Sequence, residues 1–221
     1  MCSPESLNSI FSLVRFASLR SISGLLRPLF MAGNAPNMKL VWIDMEMTGL
    51  KIDKDKVLEV ACLLTDTDLR EIIEGPHLIL HQPESTLASM DPWCVEQHAK
   101  SGLVEECKRS QITESKAEKI LLDFVMEHIP FKEGILAGNT VHMDKKFLEK
   151  YFPKVDDYLH YRILDVSSVK ELCRWWFPNE YHKAPQKSFS HRALDDIRQS
   201  VEELRYYKKS IFKSNLNGKI M

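Results

Sequence analysis

The sequence has no apolar run long enough to cross a membrane and no excess of charge of either sign. A membrane-spanning helix needs about 20 consecutive apolar residues, whereas the apolar stretch from Ile120 to Val125 is interrupted by Asp123. The 30 lysines and arginines nearly balance the 31 aspartates and glutamates. These deficits argue against a transmembrane protein and against a long duplex as a substrate, because proteins that hold long nucleic acids usually carry a basic excess.

Paired cysteines are also missing. The 5 cysteines are odd in number and widely spaced, and no two of them form a C-x-x-C motif, which argues against a zinc site or a redox centre built from them. We expect reduced thiols in an intracellular protein, most of them buried as small apolar residues. With 44% hydrophobic and 28% charged residues in a chain of 221, the composition predicts one globular domain.

The first 37 residues differ in composition from the rest. They are rich in serine, and their only charged residues are Glu5, Arg15, Arg20 and Arg27. A segment that is rich in arginine and serine and poor in acids is typical of a mitochondrial presequence. We predict a targeting leader over residues 1–37 and import into the mitochondrial matrix, with a disordered tail as the alternative. Translation from Met31 or Met38 would leave shorter forms in the cytoplasm or nucleus.

The remaining chain alternates between strand and helix patterns. β-Branched and apolar runs predict strands at 40–47, 57–65, 71–81 and 135–137, and apolar spacing predicts helices at 95–107, 115–128, 145–151, 166–176 and 193–207. This order indicates an α/β domain over residues 38–213, with a mixed central sheet flanked by helices. Pro153, Pro178 and Pro185 predict loops, with 178–190 as the longest irregular connection. The last residues, 214–221, are expected to form a frayed tail.

Two acidic residues, Asp44 and Glu46, interrupt the first predicted strand. Side chains alternate along a strand, so both carboxylates point from the same face. Apolar neighbours reduce their hydration, and the two charges repel each other unless cations compensate them. The pair therefore favours a site for divalent metal ions, with a solvated edge strand as the alternative.

Further aspartates occur where helices begin. Asp144 follows a short strand and leads into a helix, where it could bind a ligand or only cap the helix. In the helix predicted from Ala193, Asp196 lies beside Ser200 at the margin of the apolar stripe, whereas Asp195 faces charged residues. We predict Asp196 as a metal ligand and Asp195 as a solvated residue; the alternative is that both line an exposed helix face.

His191 stands just ahead of that helix, in a loop bounded by serine. An imidazole exchanges its proton close to neutral pH, which suits a general base, although an isolated histidine in a loop is usually inert. The combination favours the functional interpretation: two acids on one strand, a third at a junction, and His191 five residues before Asp196.

These residues resemble the signature of a known family. Asp44-x-Glu46, Asp144 and His191-x4-Asp196 are similar to the four acids and one histidine of the DEDDh exonucleases, in the ribonuclease H-like superfamily. Longer stretches at 42–50, 138–147, 160–166 and 191–196 resemble oligoribonucleases, and the similarity spans about residues 38–212. The leader is similar to that of mitochondrial animal members. Thr140 stands where many relatives have serine, a departure that retains the hydroxyl.

The resemblance implies a ribonuclease H-like exonuclease fold and 3′-to-5′ hydrolysis of very short RNA, especially dinucleotides, to 5′-mononucleotides. It implies two Mg²⁺ or Mn²⁺ ions per active site. The implied metal ligands are Asp44, Glu46, Asp144 and Asp196. His191 is the implied general base.

The resemblance also implies a substrate site. Leu50 would wedge between two bases, Trp93 would stack on one of them, and His98 would lie nearby. From the sequence alone, Trp93 is as readily a core residue.

A second set of implied substrate residues would bind the 5′-phosphate. Tyr161 and Arg162 would reach the active site of a partner subunit in a homodimer, where Tyr161 joins the catalytic residues. Arg162 would hold the phosphate together with the hydroxyls of Thr140 and Ser167; a surface ion pair is the alternative for Arg162. A substrate of two to five nucleotides has few phosphates to neutralise, which agrees with the balanced charge.

Two rival functions differ from this one in testable ways. A proofreading-type DNA exonuclease would keep the catalytic residues but need a longer basic groove, which the charge balance disfavours. A non-catalytic RNA-binding protein on the same fold is expected to have lost a carboxylate or the histidine, and all five are present. Activity on short DNA stays open, because no group reserved for the 2′-hydroxyl is identified.

Overall fold

A computed structural model describes residues 38–186 and 192–213. The predicted leader, His191 and the predicted tail at 214–221 lie outside the described residues. The strands are β1 (Lys39–Met47), β2 (Val57–Asp66), β3 (Ile72–Ile79), β4 (Gly134–Gly138) and β5 (Ile163–Asp165). The helices are α1 (Glu84–Ala88), α2 (Pro92–Lys100), α3 (Leu103–Arg109), α4 (Glu114–His128), α5 (His142–Tyr151), α6 (Pro153–Tyr158), α7 (Val166–Trp176), α8 (Pro178–Lys183) and α9 (Ala193–Ser210). Within these ranges, no helix combines the length and the apolar character needed to span a membrane.

The strands form one mixed sheet in the order β3-β2-β1-β4-β5. β2 pairs antiparallel with both β1 and β3, whereas β4 pairs parallel with both β1 and β5. Helices pack on both faces of this sheet, which confirms the predicted α/β class. The pairing of β1 with β4 ends at Trp42 and Ala137, so the two strands separate beyond that point. A crevice at the carboxyl ends of parallel strands is a common place for ligands in such sheets.

Strand alternation assigns the residues of β1 to two hydrophobic cores. Val41, Ile43 and Met45 pack in the core that contains residues of α4, α5 and α6. Trp42 packs in the second core, with residues of α7 and α9, and its indole N–H donates to the Thr65 hydroxyl at 3.0 Å. Because alternate side chains share a face, Asp44 continues the Trp42 face and is directed toward the α9 side of the sheet.

Some details of the predicted helices were wrong. The helix predicted at 95–107 is two helices, since Gly102 adopts φ 78° between α2 and α3. Pro153 and Pro178 do not lie in loops but begin α6 and α8. Proline is tolerated at the first position of a helix, because the backbone N–H that it lacks would have no partner within the helix at that position. The segment predicted as irregular at 178–190 therefore begins as a helix that ends at Lys183.

Candidate active site

Three carboxylates converge at the end of β1, below the first turn of α9. One oxygen from each of Asp44, Glu46 and Asp196 lies within 4.8 Å of the others, and all three residues are half-buried. The two β1 carboxylates share a face because of strand alternation, and α9 packs over that face. Asp195 instead is exposed and forms an ion pair with Arg198 at 3.3 Å.

Asp144 approaches the same end of β1 from α5, on the other side of the sheet. Its side chain is buried, and its Oδ1 accepts the backbone N–H of Met45 at 3.0 Å. That N–H is free to do so because β4 has already separated from β1. The cap of α5 is Val141, so Asp144 is not the capping residue. Among the described residues, the group whose carboxylate oxygens lie within 4.8 Å of one another consists of Asp44, Glu46 and Asp196. Asp144 is not part of that group.

The carboxylates disturb each other's ionisation. Burial raises the pKa of Glu46 to about 8, and the charges of Asp44 and Asp196 add to that rise. Burial also raises the pKa of Asp144 well above its usual range, with Asp44 as the next cause. A protein that keeps these groups ionised at neutral pH needs positive charge among them. Carboxylate oxygens are the ligands that Mg²⁺ and Mn²⁺ prefer, so the residues fit a divalent-metal centre.

A cavity of about 530 Å³ opens beside the carboxylates, with Glu46 in its wall. Leu50 and Trp93 line it and are 65% and 56% exposed, so Trp93 is a surface residue and not a core residue. His98 lines it from below: it is buried, and its Nε2 donates to the carbonyl of Met47 at 2.9 Å. Its Nδ1 lies 3.9 Å from a carboxylate oxygen of Glu46. The structure thus brings together the three residues predicted to contact the bases.

The loop that carries Leu50 closes around a buried carboxylate. Asp55 accepts hydrogen bonds from the Thr48 hydroxyl at 2.9 Å and from the Lys51 N–H at 2.8 Å. Gly49 lies against this carboxylate: a Cβ at that position would stand 2.6 Å from an Asp55 oxygen. Glycine is therefore required here by space.

Two hydroxyls predicted to bind phosphate meet at the carboxyl ends of β4 and β5. The Thr140 and Ser167 hydroxyls are 3.1 Å apart, and the Thr140 N–H donates to the Ser167 hydroxyl at 2.9 Å and to Asp165 at 3.0 Å. Thr140 has φ 55°, a left-handed conformation that is uncommon outside glycine and asparagine.

Tyr161 and Arg162 lie elsewhere, just before β5 begins. Tyr161 is 74% exposed, and the Arg162 guanidinium lies 5.3 Å from the centre of its ring. β5 is parallel to β4, which is parallel to β1. Both residues lie at the amino end of the three-residue strand β5, whereas Asp165 at its carboxyl end contacts Thr140. Among the described residues, neither Tyr161 nor Arg162 lines the cavity or belongs to the group of three carboxylates.

Sequence reasoning missed Glu59 and Arg192 as parts of this site. Glu59 pairs with Glu46 across β1 and β2, is fully buried, and accepts from the Arg192 Nε at 3.1 Å. The available signal was a single charged residue in the apolar run of β2, since a buried charge needs a partner.

Comparison with known proteins agrees with this geometry. Residues 41–204 match the model of an exonuclease family. Among solved structures, Escherichia coli exonuclease I in complex with a dT13 oligonucleotide is similar with a TM-score of 0.61 at 15% identity. That match covers 78% of this chain and 41% of the other, so this chain spans about two fifths of that structure's length. This structural likeness shows the fold alone, which is ribonuclease H-like. Because the family match covers residues 41–204, the chain is an exonuclease.

Relatives of higher sequence identity define the family within the exonucleases. The chain is 53% identical to "Oligoribonuclease, mitochondrial" of Homo sapiens, over 85% of this chain and 79% of that protein. It is 47% identical to the oligoribonuclease of Chromobacterium violaceum, over 79% of this chain and 96% of that protein. The chain belongs to the oligoribonuclease family, and it is an exoribonuclease.

Proposed function

We propose that this chain hydrolyses very short RNA, especially dinucleotides, from the 3′ end and releases 5′-mononucleotides. The observation that supports it most directly is the convergence of Asp44, Glu46 and Asp196 beside a cavity whose walls carry Leu50 and Trp93. Hydrolysis of a dinucleotide needs a polar centre at the phosphodiester and apolar surfaces against the two bases, and this site combines the two.

The four carboxylates would hold two ions of Mg²⁺ or Mn²⁺. Such ions supply a polarising charge on the phosphate and on the attacking water. Asp44, Glu46 and Asp196 would share the ions across the crevice, and Asp144 would contribute from the α5 side. Burial, and then the charges of Asp44 and Asp196, raise the pKa of Glu46; a bound cation would offset both effects, which supports this assignment.

His191 would act as the general base, although it lies outside the described residues. It would accept a proton from the water that attacks the phosphorus. The bond from phosphorus to the 3′-oxygen of the preceding nucleotide then breaks, and the departing nucleotide keeps its 5′-phosphate. Arg192, the next residue, binds Glu59 and Glu106 at the start of α9.

The residues that line the cavity would bind the bases of the substrate. Leu50 would insert between the two bases and Trp93 would stack on one, as exposed apolar side chains at a cavity mouth can do at low cost. His98 would support this wall from beneath, since its ring spans the carbonyl of Met47 and the carboxylate of Glu46.

The terminal 5′-phosphate would be bound by Thr140 and Ser167 together with Arg162 and Tyr161 of a second copy of this chain. Arg162 and Tyr161 lie just before β5 and outside the cavity that Leu50 and Trp93 line, and this supports a homodimer in which they act in the partner's site. These phosphate-binding residues would close one end of the substrate site. The closed end would limit substrates to two to five nucleotides, since a longer RNA would leave polar groups unpaired.

The cellular location is proposed on composition and relatives. The composition of residues 1–37 and the relatives named as mitochondrial support import into the mitochondrial matrix. Shorter forms from Met31 or Met38 would act in the cytoplasm or nucleus.

The test is hydrolysis of a 5′-phosphorylated RNA dinucleotide by the purified protein, with Mg²⁺, with Mn²⁺ and with EDTA. We expect 5′-mononucleotides as the only products, with either metal and not with EDTA. Asp44→Asn, which removes one charge and little volume, should be inactive but folded. Binding of the dinucleotide without cleavage by the metal-loaded protein would contradict the proposal and favour an RNA-binding function.

A further inference from the structure

The first turn of α9 is attached to the sheet by a charged cluster behind the active site. Arg192, the cap of α9, donates through Nε to Glu59 at 3.1 Å and through a terminal nitrogen to Glu106 of α3 at 2.9 Å. The N–H of Ala193 reaches the other Glu59 oxygen at 3.4 Å. A side-chain pair therefore replaces the usual polar cap at the start of this helix.

Glu59 is an unusual residue for its position. It is fully buried in β2, and it also binds the Nε2 of His77 on β3. Burial of a carboxylate costs desolvation free energy, and packed apolar residues of the same volume usually stabilise the fold as well as a buried ion pair does. The place that Glu59 occupies is specific: it is the register partner of Glu46 in the sheet.

The cluster connects the two halves of the carboxylate centre. Glu46 belongs to β1, and Asp196 belongs to the first turn of α9, where its N–H donates to the Arg192 carbonyl at 3.0 Å. Nothing covalent fixes the distance between this turn and β1, since they are far apart in sequence. The ion pair of Glu59 and Arg192 joins the start of α9 to β2, at the residue that pairs with Glu46 of β1.

We propose that Glu59 and Arg192 are positioning residues whose ion pair sets the separation between the Asp196 carboxylate and the β1 carboxylates. This inference rests on the proposed function of those carboxylates as metal ligands. The planar fork of arginine directs its N–H donors to both glutamates in a fixed geometry, whereas lysine offers a compact point charge on a flexible stem. The cluster acts through the carboxylates and does not itself contact substrate.

The test measures Mn²⁺ binding to the full chain without substrate, through the loss of the free-ion electron paramagnetic resonance signal. Residues that support metal ligands typically change affinity ~10–100-fold, so we expect Arg192→Met to weaken Mn²⁺ binding at least about tenfold. Arg192→Lys should recover part of the loss. Because this readout needs no turnover, it remains informative even if the dinucleotide proves not to be the substrate.

The matched control is Arg198→Met, on the same helix. Arg198 pairs with Glu74 at 2.7 Å on the exposed face, so its loss removes an ion pair without touching the centre. If Arg192→Met does not fold, Glu59→Gln, which keeps the shape and one acceptor, takes its place with the same expectation in direction. Wild-type Mn²⁺ affinity in a folded Arg192→Met or Glu59→Gln protein, or an equal loss in Arg198→Met, would overturn the inference.

Discussion

At the scale of single residues, the acidic residues in and around the site differ in how readily their positions follow from the sequence. The shared face of Asp44 and Glu46 follows from strand alternation alone, and helical periodicity separates Asp195 from Asp196. The burial of Glu59 does not follow, because its partners come from β3, α3 and the start of α9. Local pattern cannot report contacts between residues that are distant in sequence.

The two adjacent aspartates of α9 provide a matched pair for mutation. Supporting residues alone are typically worth ~10–100-fold in metal sites, so Asp196→Ala should lower kcat by more than about a hundredfold. Asp195→Ala removes only an exposed ion pair and should stay within about twofold, as such pairs contribute little. Steady-state kinetics on a dinucleotide measure both. Comparable losses in the two variants would show that the assignment to a helix face is wrong.

Ionisation of Glu46 predicts how stability depends on pH without metal. Its pKa rises from an ordinary 4.5 to about 8 in the folded protein. Between these values the folded state holds a proton that the unfolded chain has released, so the free energy of unfolding should fall as pH rises through the window. Glu46→Gln should flatten this fall. Urea unfolding in EDTA at several pH values measures the slope, and parallel curves for the two proteins would contradict the prediction.

At the scale of elements, most strands and helices with a clear period follow from the sequence, as does the short strand β4, whereas β5 and α8 do not. β1 and α4 have enough residues to establish a period, and the structure places them within about two residues of the prediction. β5 has three residues and α8 six, too few for a period. Pro178 predicts a loop but begins a helix, because proline disrupts a helix at interior positions and favours it at the first position.

The loop between β1 and β2 is expected to be intolerant of extra volume. Gly49→Ala would place a methyl group 2.6 Å from the buried Asp55 carboxylate, and such overpacking typically costs about 1–3 kcal/mol. The shift should also displace Leu50 and raise KM. Leu50→Ala is the control: its side chain is 65% exposed, so KM should rise with little loss of stability. Urea unfolding and kinetics together separate the two effects, and equal destabilisation by both variants would contradict this view.

At the scale of the whole molecule, the proposed substrate site includes residues of a second copy of the chain. The carboxylates and the hydroxyls of Thr140 and Ser167 lie at the carboxyl ends of the parallel strands, whereas Arg162 lies just before β5 begins. No composition or periodicity shows which residues of a second copy would complete it, because an interface between copies leaves no periodic signal within one chain.

Mixing two defective variants tests whether subunits share a site. Asp44→Ala removes a carboxylate, and Arg162→Ala removes the group proposed to enter the partner's site. In a mixed dimer one of the two sites regains every residue, so an equal mixture should recover about a quarter of wild-type activity on a 5′-phosphorylated dinucleotide. Refolding the variants together and assaying them supplies the measurement. Activity no greater than the mean of the separate variants would argue that each chain completes its own site.

The most direct test of the central claim is the dependence of kcat/KM on substrate length, measured for 5′-phosphorylated RNAs from two to twenty nucleotides. A cavity closed at one end by phosphate-binding residues predicts the highest kcat/KM for the dinucleotide, a steep decline beyond five nucleotides, and loss of the preference in Arg162→Ala. An unchanged or rising kcat/KM with length would contradict the account and describe a general exonuclease with an open groove.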